Sequence, residues 1–302
     1  MWRSAITVCI LGGTGFVGQH LLSRLGRAGW HCLVPTRRPH RHRELKLLEQ
    51  LTLEPVTALD RDTLDALLPG CDAVVNLIGI LNEDGRSTFE RVHVELVREL
   101  TAAATAAGVP RLIQMSALNA DAERGASAYL RSKGAGEALA HRAEGLQVTS
   151  VRPSVIFGRG DSFFNRFASL LELTPGVFPL ACPQARFAPV WVGDVCEAIA
   201  RALDDPQTIG QRYDLCGPRV FSLEELVEQT ANWIGRRRLI IGLNERASRW
   251  QAQLFERLPG KPFTLDNYHS MQIPSTCGKQ DGLLELGIHA SDIETIVPTY
   301  LR

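Results

Sequence analysis

A turn of three glycines spaced three residues apart constrains this chain more than any other feature. Residues 11–18 read LGGTGFVG, with Gly12, Gly15 and Gly18 in register, directly after the apolar run 5–11 (AITVCIL). Behind the turn, an amphipathic pattern from about Phe16 to Ala28 predicts a helix. Glycines let a strand reverse sharply into a helix and bring bare backbone close to a ligand, while the helix start offers unpaired N–H groups with partial positive charge. Strand, glycine turn and helix in that order predict a cradle for a pyrophosphate. The plain alternative is an ordinary flexible loop.

The chain beyond the turn keeps the same rhythm. Short apolar runs at 31–35, 51–56, 72–78, 111–115 and 147–151 alternate with helical patterns, which predicts parallel strands joined by right-handed crossovers. Phe89, Val92, Leu96, Leu100 and Ala103 mark a helix over about 88–107, ended by Gly108 and Pro110, and a second helix is expected over about 126–143. Asp194 with Glu197 reads as a capping box, as does Ser222 with Glu225, where Phe221 is placed to staple onto Leu226. From about residue 236 the rhythm stops and prolines punctuate short helical pieces. The expected fold is α/β, a Rossmann-type doubly wound parallel sheet over 1–160 and 190–218. A smaller lobe over 161–189 and 219–302 faces the substrate or a partner.

Composition narrows the class of partner. Lys plus Arg and Asp plus Glu both number 33 in 302 residues, so nothing in the overall charge points to nucleic acid or an anionic membrane as the main partner. A small-molecule substrate is expected. The seven cysteines are scattered without metal-ligand spacing, which implies a reducing, cytoplasmic compartment and no metal site. The run 5–11 is too short to cross a bilayer, so neither export nor a membrane span is expected.

A ribose 2′-hydroxyl is usually bound by an acidic residue at the end of the second strand. Here that stretch reads Pro35, Thr36, Arg37, Arg38. Guanidinium groups suit a 2′-phosphate, which favours NADP(H) over NAD(H), with a merely solvated basic loop as the alternative. Further on, Tyr129 and Lys133 stand four apart on the expected helix, so both project from one face. An ammonium beside a phenol lowers the phenol's pKa and lets it exchange a proton with an alcohol or carbonyl. Ser116, just past the strand 111–115, is placed to hold the substrate oxygen.

Together these residues resemble the short-chain dehydrogenase/reductase superfamily in its extended or atypical branch, described as NAD-dependent epimerase/dehydratase-like. Residues 151–165, 187–197 and 213–226 are similar to the complex I alpha-subcomplex subunit nine family and its bacterial relatives. The resemblance implies a bound NADP(H) with Thr14, Gly15, Phe16 and Val17 at the pyrophosphate. Asn76, Leu77, Ile78 and Gly79 would run along the cofactor, and Pro153 and Val155 would lie near the nicotinamide. It maps the superfamily's active-site serine, tyrosine and lysine onto Ser116, Tyr129 and Lys133, with Lys133 also touching the cofactor. Two departures stand out: Val56 and Thr57 replace a common Gly-Asp pair near the adenine, and His93 replaces a helix asparagine. For His93, packing is the simpler role and proton relay the alternative.

Two functions stay open at this point. One is an oxidoreductase or epimerase moving a hydride at an alcohol or ketone. The other is a non-catalytic NADPH-binding assembly, accessory or sensor protein related to complex I or quinone metabolism. Along 246–258, Trp250, Leu254, Phe255 and Leu258 form an apolar face expected to pack on the second lobe, with a pocket wall or peripheral membrane contact as alternatives.

Overall fold

The computed structural model describes residues 6–42, 45, 49–85, 87–278 and 281–301. Its centre is a seven-stranded sheet. Six strands are β1 (Thr7–Leu11), β2 (His31–Thr36), β3 (Leu51–Pro55), β4 (Ala73–Asn76), β5 (Arg111–Met115) and β6 (Gln147–Pro153); the seventh is Arg212–Leu215. Their spatial order is Arg212–Leu215, β6, β5, β4, β1, β2, β3. Every pairing from β6 through to β3 is parallel. Because β2 and β3 lie on one side of β1 and β4 on the other, the winding reverses between β1 and β4. In such sheets ligands bind at that reversal, outside the carboxyl ends of the strands.

The apolar runs become strands because parallel strands are covered on both faces. Val8, Cys9, Ile10 and Leu11 are fully buried, as are Val74, Val75, Leu112 and Ile113. Crossover helices α1 (Phe16–Arg27), α2 (Arg61–Leu67), α3 (Leu96–Ala106) and α4 (Ala128–His141) supply the cover, α1 through Leu21, Leu22 and Leu25. The helix expected over 88–107 is not uniform. A wider π-helical stretch, Glu90–Glu95, precedes α3 and contains His93.

The chain divides into two compact units, the first made of Met1–Ala117, Ser132–Arg152 and Cys196–Tyr213, and the second of Leu118–Arg131, Pro153–Val195 and Asp214–Arg302. The second contains α5 (Phe164–Leu173), the start of α6 (Val192–Asp204), α7 (Leu223–Trp233) and α8 (Glu245–Phe255). One of its cores gathers Phe157, Phe164, Phe221, Leu226, Ile293, Val297 and Leu301. The Ser222–Glu225 capping box forms at the start of α7, and Phe221 shares this core with Leu226.

Three expectations are corrected here. Asp194 is not a cap: α6 already begins at Val192, and the Asp194 carboxylate accepts hydrogen bonds from the Ser291 amide at 2.7 Å and the Ser291 hydroxyl at 3.2 Å. The cysteines are not all thiols, since Cys216 and Cys277 form a disulfide across 61 residues of sequence, a pairing that spacing does not reveal. Finally, α8 buries Ser248 and Ala252, leaving Trp250 64% exposed, with Leu254 and Leu258 also exposed. Small residues make the closer approach, and Ser248 Oγ accepts a hydrogen bond from the Cys182 amide.

Candidate cofactor and proton-transfer site

The glycine turn follows β1 at the sheet's reversal. Gly12 adopts φ +80°, a left-handed conformation that suits glycine, and a methyl group at Gly18 would collide with the Gly12 carbonyl and the Gly13 backbone. Gly15 stands exposed at the start of α1, where no side chain caps the first amides and no acidic residue occupies the first turn. Those N–H groups and the helix dipole suit an anion, so the turn fits a dinucleotide's pyrophosphate. Thr14 is tied down by Gln19, whose side chain donates to its carbonyl at 3.0 Å.

Neighbouring strand ends complete the cradle. The Leu77 amide donates to the Leu11 carbonyl, and a methyl on Gly12 would stand 3.3 Å from both Leu77 and Ile78. The buried Asn76 side chain donates to Gln114 Oε1 at 3.0 Å and accepts from the Ile78 amide at 3.2 Å, which sets the path of 77–79. Sequence reading missed Gln114 because its role depends on β4 lying beside β5. At the end of β2, Arg37 and Arg38 are both exposed beyond the buried Thr36. The Val56 amide is taken by the Thr36 carbonyl, and Thr57 is exposed. Pro153 ends β6, and the Val155 carbonyl accepts from the Val190 amide.

Tyr129 and Lys133 share α4, one turn apart, Tyr129 in the second unit and Lys133 in the first. Lys133 is buried, and its Nζ donates to the Met115 carbonyl at 2.6 Å. Burial pulls its ammonium down to about 8, against the opposing pull of Glu137. A methyl at Gly79 would lie 3.5 Å from both Lys133 Nζ and His93 Nε2, so the two nitrogens flank one strip of backbone. The His93 ring is engaged at both nitrogens: Nε2 accepts from the Ile80 amide at 3.1 Å, which leaves Nδ1 protonated toward Ser132 Oγ at 2.8 Å. Burial, then the charge of Lys133, lower its pKa to about 3. A neutral imidazole held this way braces the loop at Ile80 and is not poised to pass protons.

Ser116 is buried, and its hydroxyl closes no hydrogen bond of normal geometry among the described residues. It lies toward the Glu137 carboxylate. Burial works to raise that carboxyl, but Arg152, Ser116 and Arg212 outweigh it and hold it below the usual range. Arg152 and Arg212 each reach Glu137 Oε1 at 2.6 Å. Glu137 escaped sequence reading, although its place one turn beyond Lys133 was a usable signal. The expected lowering of the Tyr129 phenol is not met in the chain alone. Burial, and then the charge of Asp266, push it up to about 12.

The residues 8–216 match the model of the NAD dependent epimerase/dehydratase family. A curated relative, the mitochondrial NADH dehydrogenase [ubiquinone] 1 alpha subcomplex subunit 9 of Mus musculus, is 31% identical over 305 residues, covering 96% of this chain and 78% of that protein. A ceramide reductase of Caulobacter vibrioides is 36% identical over 190 residues, 62% of this chain and 57% of its own length. Among solved structures, gox2253 superposes with a TM-score of 0.77 at 21% identity, covering 98% of this chain and 97% of that one. At that identity the likeness speaks of fold alone. With its glycine turn at the reversal of a parallel sheet, the chain belongs to the NAD dependent epimerase/dehydratase family, within the short-chain dehydrogenases/reductases.

Proposed function

We propose that this protein binds NADP(H) and moves a hydride at a secondary alcohol or ketone of a small molecule, as an oxidoreductase or epimerase, with Tyr129 as the proton-exchanging group. The observation that carries this reading is Lys133, a buried ammonium at the carboxyl end of β5, one helical turn from Tyr129 and beside the Gly79 backbone. Bound nicotinamide supplies or accepts the hydride. The Tyr129 phenol gives its proton to a carbonyl oxygen or takes one from an alcohol. Lys133 stabilises the phenolate when it forms, and with a pKa near neutrality it adjusts its own charge at little cost. The Ser116 hydroxyl, buried and without a normal hydrogen bond among the described residues, holds the substrate oxygen. Gly12, Thr14, Gly15, Phe16, Val17 and Gly18 hold the pyrophosphate, Asn76–Gly79 line the cofactor, and Pro153 with Val155 adjoin the nicotinamide.

Arg37 and Arg38, exposed where an acid would read a 2′-hydroxyl, support NADP(H) over NAD(H). The lobe of 161–189 and 219–302 selects the substrate or a partner. Five cysteines remain thiols, but the Cys216–Cys277 disulfide counts against the reducing, cytoplasmic setting expected from cysteine spacing. No described helix is long and apolar enough to cross a membrane.

A second reading is a non-catalytic NADPH-holding accessory protein, in line with the relatives named as complex I subunits. The exposed Trp250 and Leu254 of α8, with exposed Leu258 just beyond its end, favour it. Between residues 236 and 261 seven Arg and Lys stand against two Glu, a composition suited to a protein partner or the surface of an anionic membrane. Single-turnover experiments separate the two. Protein loaded with NADPH is offered ketones, quinones and sugar nucleotides while cofactor absorbance is followed. The enzyme reading expects hydride transfer to at least one, slowed about 10²–10⁴-fold in Tyr129→Phe with cofactor binding intact. Equal inertness of wild type and Tyr129→Phe, both binding cofactor, leaves only the accessory role.

A further inference from the structure

The helix that bears Tyr129 is held at its start by a residue from far along the chain. The Asp266 carboxylate spans two successive amides, accepting from Ala128 N at 2.7 Å and from Tyr129 N at 3.1 Å. The next amide, Leu130 N, goes to the local Ser127 hydroxyl at 3.1 Å. Ser127 in turn accepts from Ser270 Oγ at 2.8 Å, so both caps of α4 depend on the short helix Leu265–Ser270. That helix is itself fixed by a capping box between Thr264 and Asn267 and by the burial of Thr264 and Tyr268. All of these residues lie in the second compact unit.

Two consequences follow. A helix start leaves its first amides without partners, and a carboxylate there satisfies them with charge-assisted bonds while complementing the helix dipole. The first turn, and with it the position of Tyr129, is therefore set by Asp266 as much as by residues adjacent in sequence. The same negative charge is bonded to the amide of Tyr129 itself, where it opposes a second negative charge on the phenol.

We infer that Asp266 is a positioning residue of the proton-transfer site, fixing the first turn of α4 and opposing ionisation of the Tyr129 phenol, which favours proton donation to a carbonyl oxygen over proton removal from an alcohol. This rests on the reading of Tyr129 as the proton-exchanging group. The charged group that bears on the tyrosine is Asp266, from Leu265–Ser270, while the Lys133 ammonium on the same helix is engaged with the Met115 carbonyl. Tyr129 is pushed up to about 12, by burial first and Asp266 second, in agreement with the geometry.

The test is a titration of the phenol, independent of turnover. Ultraviolet absorbance of phenolate is read after rapid pH jumps, before alkaline unfolding, and the trace of Tyr129→Phe is subtracted to isolate Tyr129. Asp266→Asn keeps an oxygen acceptor but removes the charge, and the Tyr129 midpoint is expected to fall by about one pH unit. Asp266→Glu restores the charge and returns the midpoint toward wild type. Ser127→Ala, which loosens the helix start without removing charge, is expected to lower thermal stability and leave the midpoint in place. An unmoved midpoint in Asp266→Asn, or an equal fall in Ser127→Ala, overturns the inference. Should the midpoint fall while wild type transfers no hydride to any substrate, the role of Asp266 toward the phenol stands and the enzyme reading fails. Should wild type turn over with the midpoint unmoved, the reverse holds.

Discussion

The glycine turn and the start of α4 are both helix N-termini, yet they are built in opposite ways. The turn is local: Gly12, Gly15 and Gly18 lie within seven residues, and the first amides of α1 have no side-chain cap. The start of α4 is closed, with three successive amides taken by Asp266 and Ser127. An uncapped N-terminus keeps its N–H groups for an anion, whereas a capped one uses them to fix the side chains it bears. One therefore suits ligand binding and the other positioning.

The turn should be the more brittle of the two. Gly18→Ala drives a methyl into the backbone of Gly12 and Gly13, which cannot swing aside as a side chain does. NADPH affinity is expected to fall at least about a hundredfold, with roughly 1–3 kcal/mol lost from stability. Fluorescence titration and thermal melting measure both. Near-normal binding would break the view of the turn as a tight backbone cradle.

A pH-dependent contribution should come from His93, in the stretch before α3, whose ring is bonded to Ser132 of α4. Its folded pKa is about 3 against an ordinary 6.5, so the fold favours the neutral ring. Below pH 6.5 the unfolded chain gains a proton that the folded chain refuses. The stabilisation is thus complete above 6.5 and declines toward 3, at up to about 1.4 kcal/mol per pH unit. Denaturant unfolding of wild type and His93→Gln across that window is expected to give a shallower decline in the variant. Parallel declines would show that His93 titrates normally and is not the brace described above.

The smallest effect belongs to the rim of the cradle. Replacing Arg37 and Arg38 together by Ala is expected to weaken NADPH binding about tenfold and leave NADH binding unchanged. Equal losses for the two cofactors would return both arginines to a solvated loop.

The difference between local and distant construction also governs what was legible in the sequence. Strand and helix patterns in the first half were readable because burial on both faces leaves continuous apolar runs, and 31–35 and 111–115 fall almost residue for residue on β2 and β5. Asp194 misled because a D-x-x-E pattern carries the same spacing inside a helix as at its edge. The periodicity of α8 separated its faces correctly but not which one is buried, since Ser248 and Ala252 pack closer than Trp250 allows. At the candidate site Tyr129, Lys133 and the turn were visible as motifs. Gln114, Glu137 and Asp266 were not, being polar residues whose partners lie 38, 15 and 137 positions away.

By itself the sequence determined the family, the glycine turn, the parallel-sheet rhythm and the Tyr129–Lys133 pair, because each rests on spacing within a turn, a strand or a helix. Tertiary structure alone decided the electrostatics. Lys133 is pulled down to about 8 by burial, His93 is held neutral between Ile80 and Ser132, and the Tyr129 phenol is pushed up by burial and by a carboxylate from the far end of the chain. Charge depends on solvent exclusion and on neighbours in space, and neither is encoded by adjacency along the backbone.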